Sequence, residues 1–168
     1  GDGPDYIVFQ QTVTEGLAAL AAAYTGAVVQ IEGMTWMQGE SDVSVSASAA
    51  YAANLQAFIA DVRATFGANL PFVVARLSSG QTALDAAGLA TVRAAQAQVA
   101  AADPWTSIVN TDTFPLQGDH LHFDADGQQL LGSAFAARAG YLVWMPDRFS
   151  PEQIAAGLAE ETADADGA

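Results

Sequence analysis

Pro71-Phe72-Val73-Val74-Ala75-Arg76-Leu77 is almost continuously apolar. A strand with one solvated face alternates apolar and polar residues, whereas a strand covered on both faces does not, so this run reads as a buried strand of a parallel sheet. Before it, Tyr51, Leu55, Phe58, Val62 and Phe66 recur at helical spacing, and Gly67 closes that helix. After it, Ser78 to Gly88 reads as a loop, and Leu89, Val92, Gln96 and Val99 mark another helix. Ala27 to Trp36 is β-branched and glycine-flanked and reads as an earlier strand, and Thr106 to Asn110 as a later one. Phe9, Val13, Leu17, Leu20 and Tyr24 share one helical face, with Gly26 past its end as a C-cap. Asp124 is placed to cap a helix that turns Leu130, Leu131, Ala134 and Phe135 inward. Ser150-Pro151-Glu152-Gln153 has the form of a final helix start, and Glu160 to Ala168 is an acidic tail. Helices and strands alternate with short connections. The expectation is an α/β three-layer sandwich with a mostly parallel sheet.

The chain has 168 residues, with 19 acidic against 5 basic side chains and a formal net charge of −14. One domain is expected at this length. All the basic residues are arginines and they are scattered, so neither nucleic acid nor an anionic membrane surface is expected as a partner. No cysteine is present, which excludes disulfides, thiolate metal sites and a cysteine nucleophile. The acidity suits a secreted or periplasmic protein.

Parallel sheets of this kind bind ligands beyond the carboxyl ends of their strands. Two loops in such positions carry the chemical side chains: Trp36-Met37-Gln38-Gly39-Glu40-Ser41-Asp42, and Asp119-His120-Leu121-His122-Phe123. An aspartate three residues before a histidine lets its carboxylate hold Nδ1–H and leaves Nε2 as a general base. The alternative for His122 is a loop histidine that caps the following helix. His120 reads as its exposed neighbour.

Taken together, G-M-x-W-M-Q-G-E-S-D after a strand and D-x-L-H-F-D-x-x-G-Q-x-x-L-G near the C-terminus resemble the sialate O-acetylesterase-like, carbohydrate acetyl esterase branch of the SGNH hydrolase superfamily. Ala50 to Leu55, Leu70-Pro71-Phe72 and Val92 to Gln96 are similar to that branch as well. The resemblance runs from about Tyr6 to about Ala139. It implies an SGNH, flavodoxin-like fold and an esterase that removes O-acetyl groups from a carbohydrate by a Ser-His-Asp mechanism without metal or organic cofactor. It puts the base at His122, the orienting acid at Asp119 and an oxyanion donor at Gln38. Glu40, with Gly39 beside it, would support that loop. For Gln38 and Glu40, plain solvation or helix capping is the other reading. Arg93 and Gln96 share a helix face and read as a polar face with one inward residue.

The family's nucleophile is a serine in a glycine-bearing turn after its first strand, and no such motif is present. The first residues already match the helix before the family's third strand. The expectation is a partial SGNH-like domain over residues 1–145 that lacks its first strands, followed by a C-terminal helix and tail over residues 146–168. An N-terminal segment or companion chain would complete the sheet and supply the serine. Four alternatives compete. Ser41, in a sequence like the G-D-S-L block of other SGNH enzymes, would make the chain complete, but Trp36 and Gln38 fit the third block better. Ser78 and Ser79 lack a nucleophile elbow and read as loop serines. Asp124 to Gly127 and Asp164 to Gly167 resemble half of a calcium loop, without the later glutamate. A non-catalytic carbohydrate-binding or structural module would keep the fold without the nucleophile. Trp36, Trp105 and Trp144 suit sugar stacking or core packing.

Overall fold

The computed structural model describes residues 3–144, the side chains of Val45 and Trp144 excepted. The expected helix from Ser150, the acidic tail and the boundary at residue 145 lie outside the described residues. The chain divides into two compact units, one ending at Glu32 and one beginning at Gly33.

In the first unit, Pro4–Ala23 forms α1. Proline at its start lacks only an N–H that no helical partner would use, and its φ suits the helix. The helix ends at Tyr24, whose N–H donates to Leu20 O at 2.9 Å, and Gly26 takes a φ of +88° just beyond. None of the helix residues is buried.

The second unit contains β1 (Met34–Trp36), α2 (Val45–Ser48), α3 (Tyr51–Phe66), β2 (Phe72–Ala75), α4 (Ala86–Ala101), β3 (Thr106–Val109) and α5 (Ala125–Trp144). Its strands pair in the order β1-β2-β3, all parallel. Met34 stands opposite Phe72, and Phe72 opposite Thr106. The apolar run is thus the central strand, and all four of its residues are buried. Burial of Phe72, Val73 and Val74 stabilises the fold by about 1.5–3 kcal/mol each.

Successive residues of a strand point to opposite faces. Val73 clusters with Val109 and Leu142, and Ala75 with Phe123 and Leu131, so α5 covers that face. Phe72 meets Phe58 of α3 edge-on at 6.0 Å on the other face, and Phe58 in turn lies 4.4 Å from Trp36. Helices therefore flank the sheet on both sides. Trp36 packs in this cluster. No helix among the described residues is long and apolar enough to cross a membrane.

The first strand is shorter than its β-branched sequence suggests. Ala27 to Gly33 is outside the sheet, and Val28 is 92% exposed. The cause lies in β2. The residue before its ladder is Pro71, which has no N–H to give. The Pro71 carbonyl accepts from Met34 N at 2.8 Å, and Gly33 packs against it so closely that an added Cβ would sit 3.0 Å from Pro71 O. Pairing therefore begins at Met34. The helix ends follow the sequence closely: α3 stops before Gly67, at φ +147°, and Asp124 Oδ1 accepts from Gly127 N at 2.9 Å at the start of α5.

The loop after β1 crosses the first turn of α4, where Asp85 caps Gly88 N at 2.8 Å. A Cβ on Gly88 would stand 1.6 Å from the Val43 carbonyl oxygen. Backbone cannot rotate out of that overlap. Gly88→Ala is expected to destabilise the protein by about 1–3 kcal/mol or more, read as a fall in the thermal unfolding midpoint. Gly118, with nothing within 4 Å, is the control. Equal midpoints for Gly88→Ala and Gly118→Ala would disprove the close approach.

Candidate active site

Three loops gather beyond the carboxyl ends of the strands. The first, after β1, holds Gln38, Gly39 and a 3-10 turn over Glu40–Asp42. Gly39 has φ +138° and is buried, and an added Cβ would meet Val92 Cγ1 at 3.0 Å and the Tyr51 hydroxyl at 3.2 Å. Only glycine suits both the backbone and the space. The Gln38 carbonyl accepts from the Tyr51 hydroxyl at 2.9 Å and from Gln96 Nε2 at 3.1 Å. Its side-chain Nε2 donates to Asp42 Oδ2 at 2.5 Å, and Oε1 lies 3.3 Å from the Tyr51 hydroxyl. Burial, with the Asp42 and Glu40 carboxylates adding to it, pushes the Tyr51 hydroxyl up to about 12, against the lowering effect of the Gln96 contact. Tyr51 is therefore a proton donor at any ordinary pH.

Gln96 is wholly buried. Its Oε1 accepts from Leu77 N at 2.9 Å, and its Nε2 also lies 3.4 Å from Ala75 O. One amide thus ties the end of β1 to the end of β2. Arg93, one helical turn earlier on α4, donates to Leu77 O and grips both oxygens of Asp112, at 2.6 and 2.9 Å. The expected polar face is an inward-turned brace between strands.

The second loop follows β2. Ser79 N donates to Asp112 Oδ1 at 2.7 Å, and Ser78 is buried, its Oγ accepting from Gly80 N at 3.1 Å. Gln81 is 0% exposed. Its Oε1 accepts from Ser78 N at 2.9 Å, and its Nε2 donates to Leu121 O at 2.8 Å and Glu40 Oε1 at 3.4 Å. The three loops therefore meet at one carboxamide. Gln81 belongs to no motif in the sequence. Its one local sign is a long amide among the small residues Ser78, Ser79, Gly80 and Thr82 at a strand's carboxyl end.

In the third loop, Asp119 Oδ2 lies 2.7 Å from His122 Nδ1. Asp119 Oδ1 also accepts from Leu121 N at 2.9 Å and from His122 N at 3.1 Å. The His122 contact first, then these two amides, hold the exposed Asp119 carboxyl at about 2, well below the ordinary carboxylate range. The turn is possible because His120 adopts φ +53°, a left-handed conformation tolerated at single polar residues. His120 is exposed, as expected. The helix behind the loop is capped by Asp124 and not by His122. The His122 side chain is 67% exposed.

Each expected residue thus falls in one region, with Asp119 and His122 in contact and Glu40 joined to the histidine loop through Gln81. No hydrogen bond links Gln38 directly to His122 among the described residues. Ser41 is exposed on the 3-10 turn. No three acidic or histidine side chains among the described residues are grouped to hold a metal ion.

A helix-flanked parallel sheet with an Asp–His pair beyond its strand ends defines an α/β protein with its polar loops at the position where such sheets bind ligands. Residues 7–140 match the model of the carbohydrate esterase family described as sialic acid-specific acetylesterase, and the chain belongs to that family. A crystal structure of a protein from Arabidopsis thaliana is similar, with 24% identity and a TM-score of 0.59 over 72% of this chain and 48% of that one. That likeness is one of fold, and the chain spans about half the length of that protein. No curated protein matches.

The Asp112 cluster sets a pH dependence. Partial burial raises its carboxyl, but Arg93 and the backbone and hydroxyl of Ser79 override this and bring it to about 2, from an ordinary 3.8. A depressed folded value contributes stability above the unfolded value and loses it as pH falls through the folded one. The stability gap between wild type and Asp112→Asn should be constant above about pH 5 and shrink from about pH 4 towards 2. Urea unfolding across that range measures it, and a gap independent of pH would refute the pairing.

Proposed function

We propose that this chain carries the acid–base half of a serine ester hydrolase that removes O-acetyl groups from a carbohydrate. The observation behind the reading is the Asp119–His122 pair, 2.7 Å apart at the carboxyl end of a parallel sheet. Asp119 fixes the Nδ1–H tautomer, which leaves Nε2 to act as base. A serine hydroxyl attacks the acetyl carbonyl as His122 Nε2 takes its proton. The tetrahedral oxyanion collapses to an acetyl-serine as the bond to the sugar oxygen breaks, and His122 gives its proton to that oxygen, which leaves as the sugar hydroxyl. Water then releases acetate by the same steps. Gln38 donates to the oxyanion through the N–H not given to Asp42, and Glu40 and Gly39 support that loop.

The serine comes from a segment outside these residues, N-terminal or on a companion chain. Two features support this. Strand β1 pairs only with β2 among the described residues, so its outer edge has room for a further strand whose carboxyl end would lie beside the Gln38 loop. Ser78, in turn, is buried with its Oγ already engaged.

The test is acetate release from p-nitrophenyl acetate and acetylated sugars by the full-length protein. His122→Ala should lower kcat by about 10²–10⁴, and Gln38→Ala by about 10²–10³. A fluorophosphonate probe should label a serine outside residues 1–168. Labelling at Ser41 would instead make this chain self-sufficient. Unchanged turnover in His122→Ala would end the assignment. Absence of both turnover and labelling in the full-length protein would favour a non-catalytic carbohydrate-binding module.

A further inference from the structure

We propose that Gln81 is a positioning residue, which sets His122 against the Gln38–Asp42 loop by gripping the Leu121 carbonyl and the Glu40 carboxylate with one buried amide. The proposal rests on the reading of His122 as the base.

The decisive geometry concerns one peptide unit. The carbonyl of Leu121 and the N–H of His122 belong to the same planar amide. Gln81 Nε2 holds its oxygen at 2.8 Å, and Asp119 Oδ1 holds its N–H at 3.1 Å. Gripped at both ends, that plane cannot rotate without losing a hydrogen bond, and its rotation is the motion that would swing the His122 side chain. Asp119 alone restrains one end. Because Asp119 sits in the same loop, it orients the imidazole locally but cannot fix the loop relative to the rest of the site. Gln81 supplies that reference.

Gln81 itself stands on a rigid base. Its own N–H donates to Ser78 O at 3.2 Å, and its carbonyl accepts from Leu84 N at 3.1 Å. Ser79 N is tied to Asp112, which Arg93 clamps to α4. The neighbouring Ala83 N reaches His120 O at 3.4 Å, so two successive carbonyls before His122 are held by this loop.

The orientation of the amide is dictated by its partners. Turned over, the Gln81 oxygen would face the Leu121 carbonyl and the Glu40 carboxylate, and its NH₂ would face the Ser78 N–H. All three contacts would become repulsive. The site therefore demands a donor towards Leu121 and Glu40 and an acceptor towards Ser78, which a neutral carboxamide of this length provides. Ionised glutamate at this position would place negative charge against two acceptors, in a site with no exposure to water. Protonated glutamate would restore one donor.

That difference gives the test, made on the full-length protein. Gln81→Glu should lose kcat by about 10²-fold near neutral pH, with KM changed much less. Its remaining activity should peak at lower pH than the wild type, because protonation of the introduced carboxyl rebuilds the bond to Leu121. Gln81→Met, of similar length and without polar atoms, should lose kcat without the displaced optimum. The nitrogen-15 and proton resonances of the His122 ring provide a readout that needs no turnover. The hydrogen-bonded Nδ1–H signal should broaden or vanish in Gln81→Met and, at neutral pH, in Gln81→Glu. Either variant folded with wild-type kcat and an unaltered His122 signal overturns the proposal, as does a pH optimum in Gln81→Glu that stays at the wild-type position. If wild type hydrolyses no ester, the esterase reading fails, and the His122 signal alone still decides whether Gln81 positions the ring.

Discussion

Strand β2 leaves the hydrogen-bonded ladder at Ala75 while the chain is still buried, and every peptide group on the next three residues must find a partner away from water. The rest of the site depends on how that requirement is met. Ala75 O and Leu77 N go to Gln96, Leu77 O to Arg93, and Ser78 N to Gln81. Arg76 N reaches Val109 O at 3.0 Å, and its carbonyl accepts from Thr111 Oγ1 at 2.6 Å. An unpaired buried peptide group costs about 1–3 kcal/mol, so losing any of these side chains would destabilise the fold by a comparable amount. Each long side chain that satisfies the strand has further donors to place, and it places them on the neighbouring loops. Gln96 reaches Gln38, Arg93 reaches Asp112, and Gln81 reaches both Glu40 and the histidine loop. The structural need of one strand thereby locates three loops.

The result is a separation of burial from chemistry. The amides of Gln81 and Gln96 are wholly buried, whereas the His122 and Asp119 side chains are 67% and 45% exposed. In the role proposed for it, His122 would keep access to solvent and substrate while its backbone is held from below by Gln81. Asp119 stays charged because, being exposed, it meets little desolvation, while the imidazole and two amides favour its carboxylate.

Much of this was legible in the sequence, and the limits have physical causes. The apolar run from Phe72 marked the central strand because two covered faces leave no alternation. Gly67 and Asp124 marked helix ends because their conformational and capping preferences are local. The stretch from Ala27 to Gly33 looked like strand because β-branched residues suit one, yet strand length is decided by the partner, and Pro71 ends the partner's ladder. Asp119 and His122 were readable as a pair because they stand three positions apart within one turn. Gln81 was not, since its role exists only when loops some 40 residues apart in sequence come together. The shared helix face of Arg93 and Gln96 implies one inward residue, but not that both reach into the strand ends, because their partners lie in other elements.

An oxyanion donor works only if it is oriented before charge develops, because reorientation during the reaction would consume the stabilisation it gives. In the role proposed for it, Gln38 meets that condition at two levels. Its backbone carbonyl is held by two donors from two different helices, and its side-chain amide donates to Asp42. Gly39 itself lies directly against Val92 and Tyr51, where any side chain would push the loop away. All these restraints come from the α3 and α4 side of β1 or from within the loop. Among the described residues β1 pairs only with β2, which leaves its other edge without a strand. A serine delivered along that edge would meet a donor already fixed by the rest of the fold, so the segment that brings the nucleophile need not also build the oxyanion site.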